Sequence, residues 1–137
     1  MHLEPYLSFD GTCEEALQFY ASIFGGGIGG LMRYEGTPMA AEMPPEARTG
    51  VMHATFRSPD VNFMASDSNR ASECQTGRVS LSLSSHDPAE GQRIFDALSA
   101  GGAVSMPYGK VFWGAMFGSL TDKFGIDWLI NCESTNA

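Results

Sequence analysis

Ser80-Leu-Ser-Leu-Ser-Ser-His-Asp-Pro-Ala-Glu90, followed by a helical run that stops at Gly101-Gly102, carries the same plan as Tyr6-Leu-Ser-Phe-Asp-Gly-Thr-Cys-Glu-Glu15, whose helical run stops at Gly25-Gly26. Each stretch shows period-two alternation, then a capping residue, then an apolar stripe of helical period, then glycines that end it. In the first copy Thr12 and Glu15 form a capping-box pattern ahead of Ala16, Leu17, Tyr20, Ile23 and Phe24, predicting a helix over about Cys13 to Phe24. In the second, Asp87 is the cap and Pro88 takes the first helical position, where its missing N–H costs nothing. Ile94, Phe95 and Leu98 form the stripe of a helix over about Pro88 to Ala100.

Working outward, strands are predicted over about Glu4–Phe9, Ile28–Tyr34, Val51–Arg57, Val61–Ser66, Val79–Ser84, Ala103–Tyr108, Val111–Leu120 and Asp127–Asn131, so each half holds four strands and one helix. Ser80, Ser82 and Ser84 occupy one face of their strand, and small hydroxyls suit a surface that must leave space. Two segments read as loops, Glu35 to Gly50 with Pro38, Pro44 and Pro45, and Asp67 to Gly77. The first is long for a compact domain, and a lid over a site and a solvated connector both fit it.

Composition narrows the function classes. At 137 residues the chain has length for one domain, and 43% apolar against 18% charged residues describes a packed globule and not a disordered chain. Acidic residues outnumber basic ones 16 to 8, which removes the basic footprint a nucleic-acid partner needs. No apolar stretch approaches bilayer length and Met1-His-Leu-Glu-Pro-Tyr-Leu-Ser-Phe9 has no leader character, so no membrane partner and a cytoplasmic location are expected. Cys13, Cys74 and Cys132 form no C-x-x-C pair and read as reduced thiols.

Several blocks together resemble a known family: Pro5-Tyr-Leu-Ser-Phe-Asp-Gly-Thr-Cys-Glu-Glu-Ala-Leu-Gln-Phe-Tyr20, Val51-Met-His-Ala-Thr-Phe56, Phe63-Met-Ala-Ser-Asp67, Phe112-Trp-Gly114 and Thr121-Asp-Lys-Phe-Gly-Ile-Asp-Trp-Leu-Ile-Asn131. They are similar to the PhnB-like family of the vicinal oxygen chelate superfamily, which includes glyoxalase I, extradiol dioxygenases and bleomycin resistance proteins. The resemblance runs from Pro5 to Asn131. It implies an α+β fold in one domain over residues 1–137, with two βαβββ modules, about 4–67 and 78–132, forming a cupped mixed sheet with helices outside. It also implies a homodimer.

Some members of that family carry a 3-demethylubiquinone methyltransferase label, which would require a grip on S-adenosylmethionine. Gly25-Gly-Gly-Ile-Gly-Gly30 matches G-x-G-x-x-G literally, but it follows a predicted helix and enters a predicted strand, the reverse of the nucleotide-binding context. The superfamily's metal positions fall on Pro5, on Ser80 or a neighbour, on Leu129 and on His53, so one coordinating side chain of four remains. Catalytic zinc takes three protein ligands. No metal and no cofactor are therefore expected. The alternative, a metal-dependent enzyme of glyoxalase or dioxygenase type, would need a different ligand set anchored by His53 with Asp67, Glu35 or a cysteine.

If His53 faces the concave side, alternation puts Val51, Thr55 and Arg57 with it and turns Met52, Ala54 and Phe56 toward the helices. Tyr6 and Ser8, Ser80 and Ser82, and Leu129 with Asp127 then face inward from their own strands, and Trp113 is a stacking candidate. Such a lining suits a small organic ligand, anionic or aromatic. His53 is the catalytic candidate as an acid or base near neutral pH; a hydrogen-bonded strand histidine reads equally well. Trp113 and Phe112 also fit core or interface packing, Trp128 reads as core, and Asp122 as a turn residue. Met39 and Met43 fit a lid lining. Cys13 stands near a helix N-terminus, a position that can lower a thiol pKa, but with no His or Asn partner nearby in sequence it does not read as a nucleophile. The expectation is a small-molecule-binding protein without the superfamily's usual metal site, with methyl transfer a weaker reading.

Overall fold

The structure is a computed structural model that describes residues 1–68, 79–112 and 114–133. It forms two compact units, one within Met1–Gln75 and the other within Thr76–Ala137. The first contains β1 (Tyr6–Phe9), α1 (Cys13–Phe24), β2 (Gly27–Arg33), β3 (Val51–Arg57) and β4 (Asn62–Asp67), with sheet order β1-β4-β3-β2. The second contains β5 (Leu81–Ser85), α2 (Pro88–Ser99), β6 (Ala103–Lys110), β7 (Met116–Thr121) and β8 (Asp127–Cys132), in the equivalent order β5-β8-β7-β6. In both sheets the first strand pairs in parallel with the last and the remaining pairs are antiparallel. The fold is thus α+β, a βαβββ unit used twice. Trp113, Cys74 and most of the Asp67–Gly77 segment lie outside the described residues.

Helical periodicity decides what α1 buries. Cys13, Ala16, Leu17, Tyr20 and Ile23 are buried along one stripe. In the sheet, Leu7 pairs with Ala65 and Ala65 with Ala54, a row of small and branched side chains that lets the helix approach. Beside it Phe56 and Phe63, directly cross-strand, stack with ring centroids 5.0 Å apart, and Tyr20 meets Phe63 edge-on at 5.8 Å. In the second unit Phe95 and Leu98 of α2 are buried, as are Trp128, Ile130 and Cys132 of β8. Gly91 of α2 allows close approach: a side chain there would meet the Tyr108 hydroxyl at 2.5 Å and Cys132 Sγ at 3.0 Å.

The two helix starts differ. Asp87 Oδ1 accepts the Ala89 N–H at 3.0 Å, the local cap expected. Thr12, by contrast, makes no side-chain cap. Its place is taken by Asp67 at the far end of β4, whose Oδ1 accepts the Cys13 N–H and whose Oδ2 accepts the Val51 N–H, both at 2.9 Å. A single buried carboxylate therefore fastens the start of α1 to the start of β3.

Two other expectations are corrected. The predicted strand Val111–Leu120 begins only at Met116, because Val111 and Ala115 close a tight turn (2.9 Å) in which Gly114 has φ +90°. β6 instead runs on to Lys110 through Pro107, which an edge strand tolerates. The Glu35–Gly50 segment holds two 3-10 turns, Pro38–Glu42 and Pro45–Ala47, each opened by proline. No helix of the described residues is long and apolar enough to cross a membrane.

Candidate functional site

Each sheet packs one face against its helix, and alternation sends the other set of side chains to the opposite face. In the first unit Tyr6 pairs with Met64 and Met64 with Thr55, so these three share the face that α1 does not cover. Tyr6 and Ser8 are exposed, and His53 and Thr55 are half-buried. The Tyr6 hydroxyl stands 3.5 Å from His53 Nδ1, with ring centroids 6.0 Å apart. The Thr55 hydroxyl donates to the Gly29 carbonyl at 2.9 Å, fastening β3 to the glycine-rich β2.

Arg57, a candidate ligand contact, is exposed and already paired. Its guanidinium pairs with the Glu4 carboxylate and also donates to the carbonyls of Phe56 (3.1 Å) and Phe63 (3.5 Å). That hydrogen bond holds the Glu4 carboxyl below its ordinary pKa of 4.5, with His2 adding to it. Val51 departs from its expected place: it is buried, and the bulged pairing of β2 with β3 carries the start of β3 out of simple alternation.

In the second unit Ser82 pairs with Leu129 and Leu129 with Ser119 on the face away from α2. Ser82 is exposed and Leu129 half-buried, and Ser80 is exposed but precedes β5. Trp128, one residue before Leu129, is buried and donates its indole N–H to Asp122 Oδ2 at 2.9 Å. Asp122 Oδ1 also accepts the N–H groups of Phe124 and Ile126, so this aspartate builds the turn into β8.

The donor set does not fit the superfamily's metal. Pro5 and Leu129 have no coordinating atom, His53 directs Nδ1 toward Tyr6, and Asp67 is committed to two backbone amides. Among the described residues no three His, Cys, Asp or Glu side chains gather as a ligand group. Nor does the glycine run fit an adenosyl cofactor. Gly25 closes α1 through its N–H to Ala21 (2.9 Å), and Gly27 and Gly29 pair with Arg57 and Thr55 inside the sheet.

Cys13 is fully buried, and that burial, reinforced by the carboxylates of Asp67 and Glu14, pushes its thiol from 9.0 up to about 12. Desolvation overrides the lowering that a helix N-terminus can give. Because the folded value lies above the unfolded one, the associated stability is intact below about pH 9 and is lost as pH rises toward 12. Native Cys13 should resist iodoacetamide at pH 8 and react once urea unfolds the chain. Peptide mapping checks this, and rapid labelling in the native protein would contradict it.

The sequence offers a lid over a site as one reading of the 35–50 segment with Met39 and Met43, but gives no position for that site. A cleft of about 900 Å³ opens at the end of its sheet, where the β1–α1 turn, the ends of β2 and β4, and the 35–50 segment converge. The available signal was the proline-built segment with Met39 and Met43, both of which line the cleft.

Residues 1–131 match the family model described as 3-demethylubiquinone-9 3-methyltransferase. The chain is 33% identical over 139 residues to Protein YjdN of Escherichia coli (strain K12), covering 96% of this chain and 95% of that one. It is 36% identical to the crystal structure of protein PA1353 from Pseudomonas aeruginosa, over 98% of both chains, with a TM-score of 0.84. A Bacillus cereus structure described as a putative 3-demethylubiquinone-9 3-methyltransferase, PhnB protein, is 29% identical over 96% of this chain and 99% of that one, with a TM-score of 0.77. A glyoxalase/bleomycin resistance protein from Albidiferax ferrireducens T118 has the same fold at 16% identity, covering 93% of this chain and 96% of that one, with a TM-score of 0.56.

Proposed function

We propose, from the premise that this chain belongs to the family described as 3-demethylubiquinone-9 3-methyltransferase, that it is a small-molecule-binding protein and not a methyl-transferring enzyme. The observation that carries the reading is the Tyr6–His53 pair. A phenol and an imidazole 3.5 Å apart stand on the sheet face opposite α1. Together they offer a ring surface and hydrogen-bonding groups to a small organic ligand, anionic or aromatic.

Ser8 and Thr55 extend the same face, the Thr55 oxygen keeping acceptor capacity beyond its bond to Gly29. Arg57 keeps its pair with Glu4 through Nη1, which leaves the Nη2 and Nε donors for an anionic ligand. In the second unit Ser80, Ser82 and Leu129 are assigned ligand contacts on the face away from α2, and Trp113 a stacking role. The glycine run, bound into helix end and sheet, supports the case against S-adenosylmethionine.

The reading extends to a cytoplasmic homodimer, in keeping with free thiols at Cys13 and Cys132 and exposed Val104 and Met106 on edge strand β6. The test is a thermal-shift screen of small anions, quinones and aromatic compounds against wild type, His53→Ala and Tyr6→Phe, with the mass of the same preparation measured by light scattering. A ligand at a hundred times its Kd stabilises the folded state by about 2.7 kcal/mol. That shift should disappear in His53→Ala and shrink in Tyr6→Phe. Hits that stabilise all three proteins equally, or a monomer mass, would count against the corresponding part.

A further inference from the structure

We propose a second ligand site, separate from the Tyr6–His53 face: the cleft at the end of the first sheet takes an organic cation with an apolar body, an amine or quaternary ammonium. Its volume of about 900 Å³ lies within the range of small-molecule pockets. Neither Tyr6 nor His53 lines it, so this site stands or falls independently of the function proposed above.

The floor of the cleft is rigid. Asp67 ties α1 to β3 through its two amide contacts, and the Tyr34 hydroxyl donates to the Asp67 carbonyl at 2.7 Å. The roof is the 35–50 segment, closed at its neck by Glu35 N–H to the Arg48 carbonyl (2.8 Å) and Tyr34 N–H to the Gly50 carbonyl (3.1 Å). A segment pinned at its neck, and stiffened by prolines between, can hold a shaped cavity without a strand of its own. Its contributions to the interior are the thioethers of Met39 and Met43, and Met39 is 53% exposed although large and apolar. Thioethers on flexible stems adapt to irregular apolar ligands.

Charge selects the ligand class. Arg33 is the one cationic side chain of the lining, and it is spent: its Nη2 lies 3.0 and 3.1 Å from the two oxygens of Glu14, and its Nη1 donates to the Thr49 carbonyl at 3.0 Å. Asp10, Glu42 and Glu46 also line the cleft and have no ion-pair partner among the described residues. An incoming carboxylate or phosphate would meet a neutralised guanidinium and the carboxylates of Asp10, Glu42, Glu46 and buried Asp67. An ammonium would find carboxylates, the Tyr34 ring and two thioethers in one lining, the environment that suits a cation with an apolar body.

The experiment is isothermal titration with benzyltrimethylammonium, using benzyl alcohol and benzoate as neutral and anionic controls. It is run on wild type, E42Q/E46Q, Met39→Ala and His53→Ala, with melting curves to confirm that each is folded. Both glutamates are exposed, so the double variant should fold. Saturable binding of the cation is expected, tighter than benzyl alcohol and with none for benzoate. It should weaken about tenfold in E42Q/E46Q and again in high salt, as partly exposed charge contacts do. Met39→Ala should weaken it and His53→Ala should leave it unchanged. No saturable binding at millimolar cation, equal binding of benzoate, or full affinity in E42Q/E46Q would each overturn the proposal. Loss in His53→Ala alone would overturn it too and assign the cation to the sheet face.

Discussion

Asp67→Ala is expected to destabilise the first unit by about 3–6 kcal/mol, from the loss of two hydrogen bonds to a charged group at roughly 1.5–3 kcal/mol each. The Cys13 and Val51 amides that it would orphan both lie in buried residues, so water replaces the carboxylate poorly. Against a typical total of about 5–15 kcal/mol this is a large share. Asp67→Asn should fall between wild type and alanine. An amide has one oxygen and must turn its NH₂ toward the second N–H. Urea unfolding gives the size of the loss, and hydrogen exchange gives its place: protection should fall first at the start of α1 and the start of β3. If asparagine matched the wild type, the carboxylate would not be the fastener described.

Gly26→Ala should be nearly as damaging, while Gly27→Ala one residue later should be close to neutral. Gly26 has φ +74°, a conformation that costs other residues of order 1 kcal/mol or more. A Cβ there would overlap the Arg57 carbonyl oxygen and lie 2.7 Å from the Ser58 Cα, and backbone cannot rotate aside as a side chain can. A loss of about 3 kcal/mol or more is expected. Gly27 has nothing within 4 Å of where its Cβ would sit, so its change should stay within about 0.5 kcal/mol. The contrast, read from paired thermal melts, tests what the glycine run is for. Equal tolerance at the two positions would remove the close-approach explanation and reopen a ligand-facing role for the run.

The candidate site was partly legible before any coordinates. Alternation put Tyr6, Ser8 and Thr55 away from the buried row of Leu7, Ala54 and Ala65, and the registers agree. It failed at Val51, where a bulge breaks the period, and at Ser80, which precedes its strand. It gives no sign that Arg57 pairs with Glu4, a residue 53 positions away.

The doubled βαβββ plan, the span of α1 from Cys13 to Phe24 and the Asp87 cap of α2 are legible in the residues alone, because periodicity and capping act over a few neighbouring residues. Folding in three dimensions settles that Asp67 caps α1 across 54 positions, that burial raises the Cys13 thiol pKa, and that a cleft forms beside the 35–50 segment. Hydrogen-bond partners, burial and empty volume depend on where chain segments distant in sequence come to rest. Local pattern records the faces of the elements; their packing settles what those faces meet.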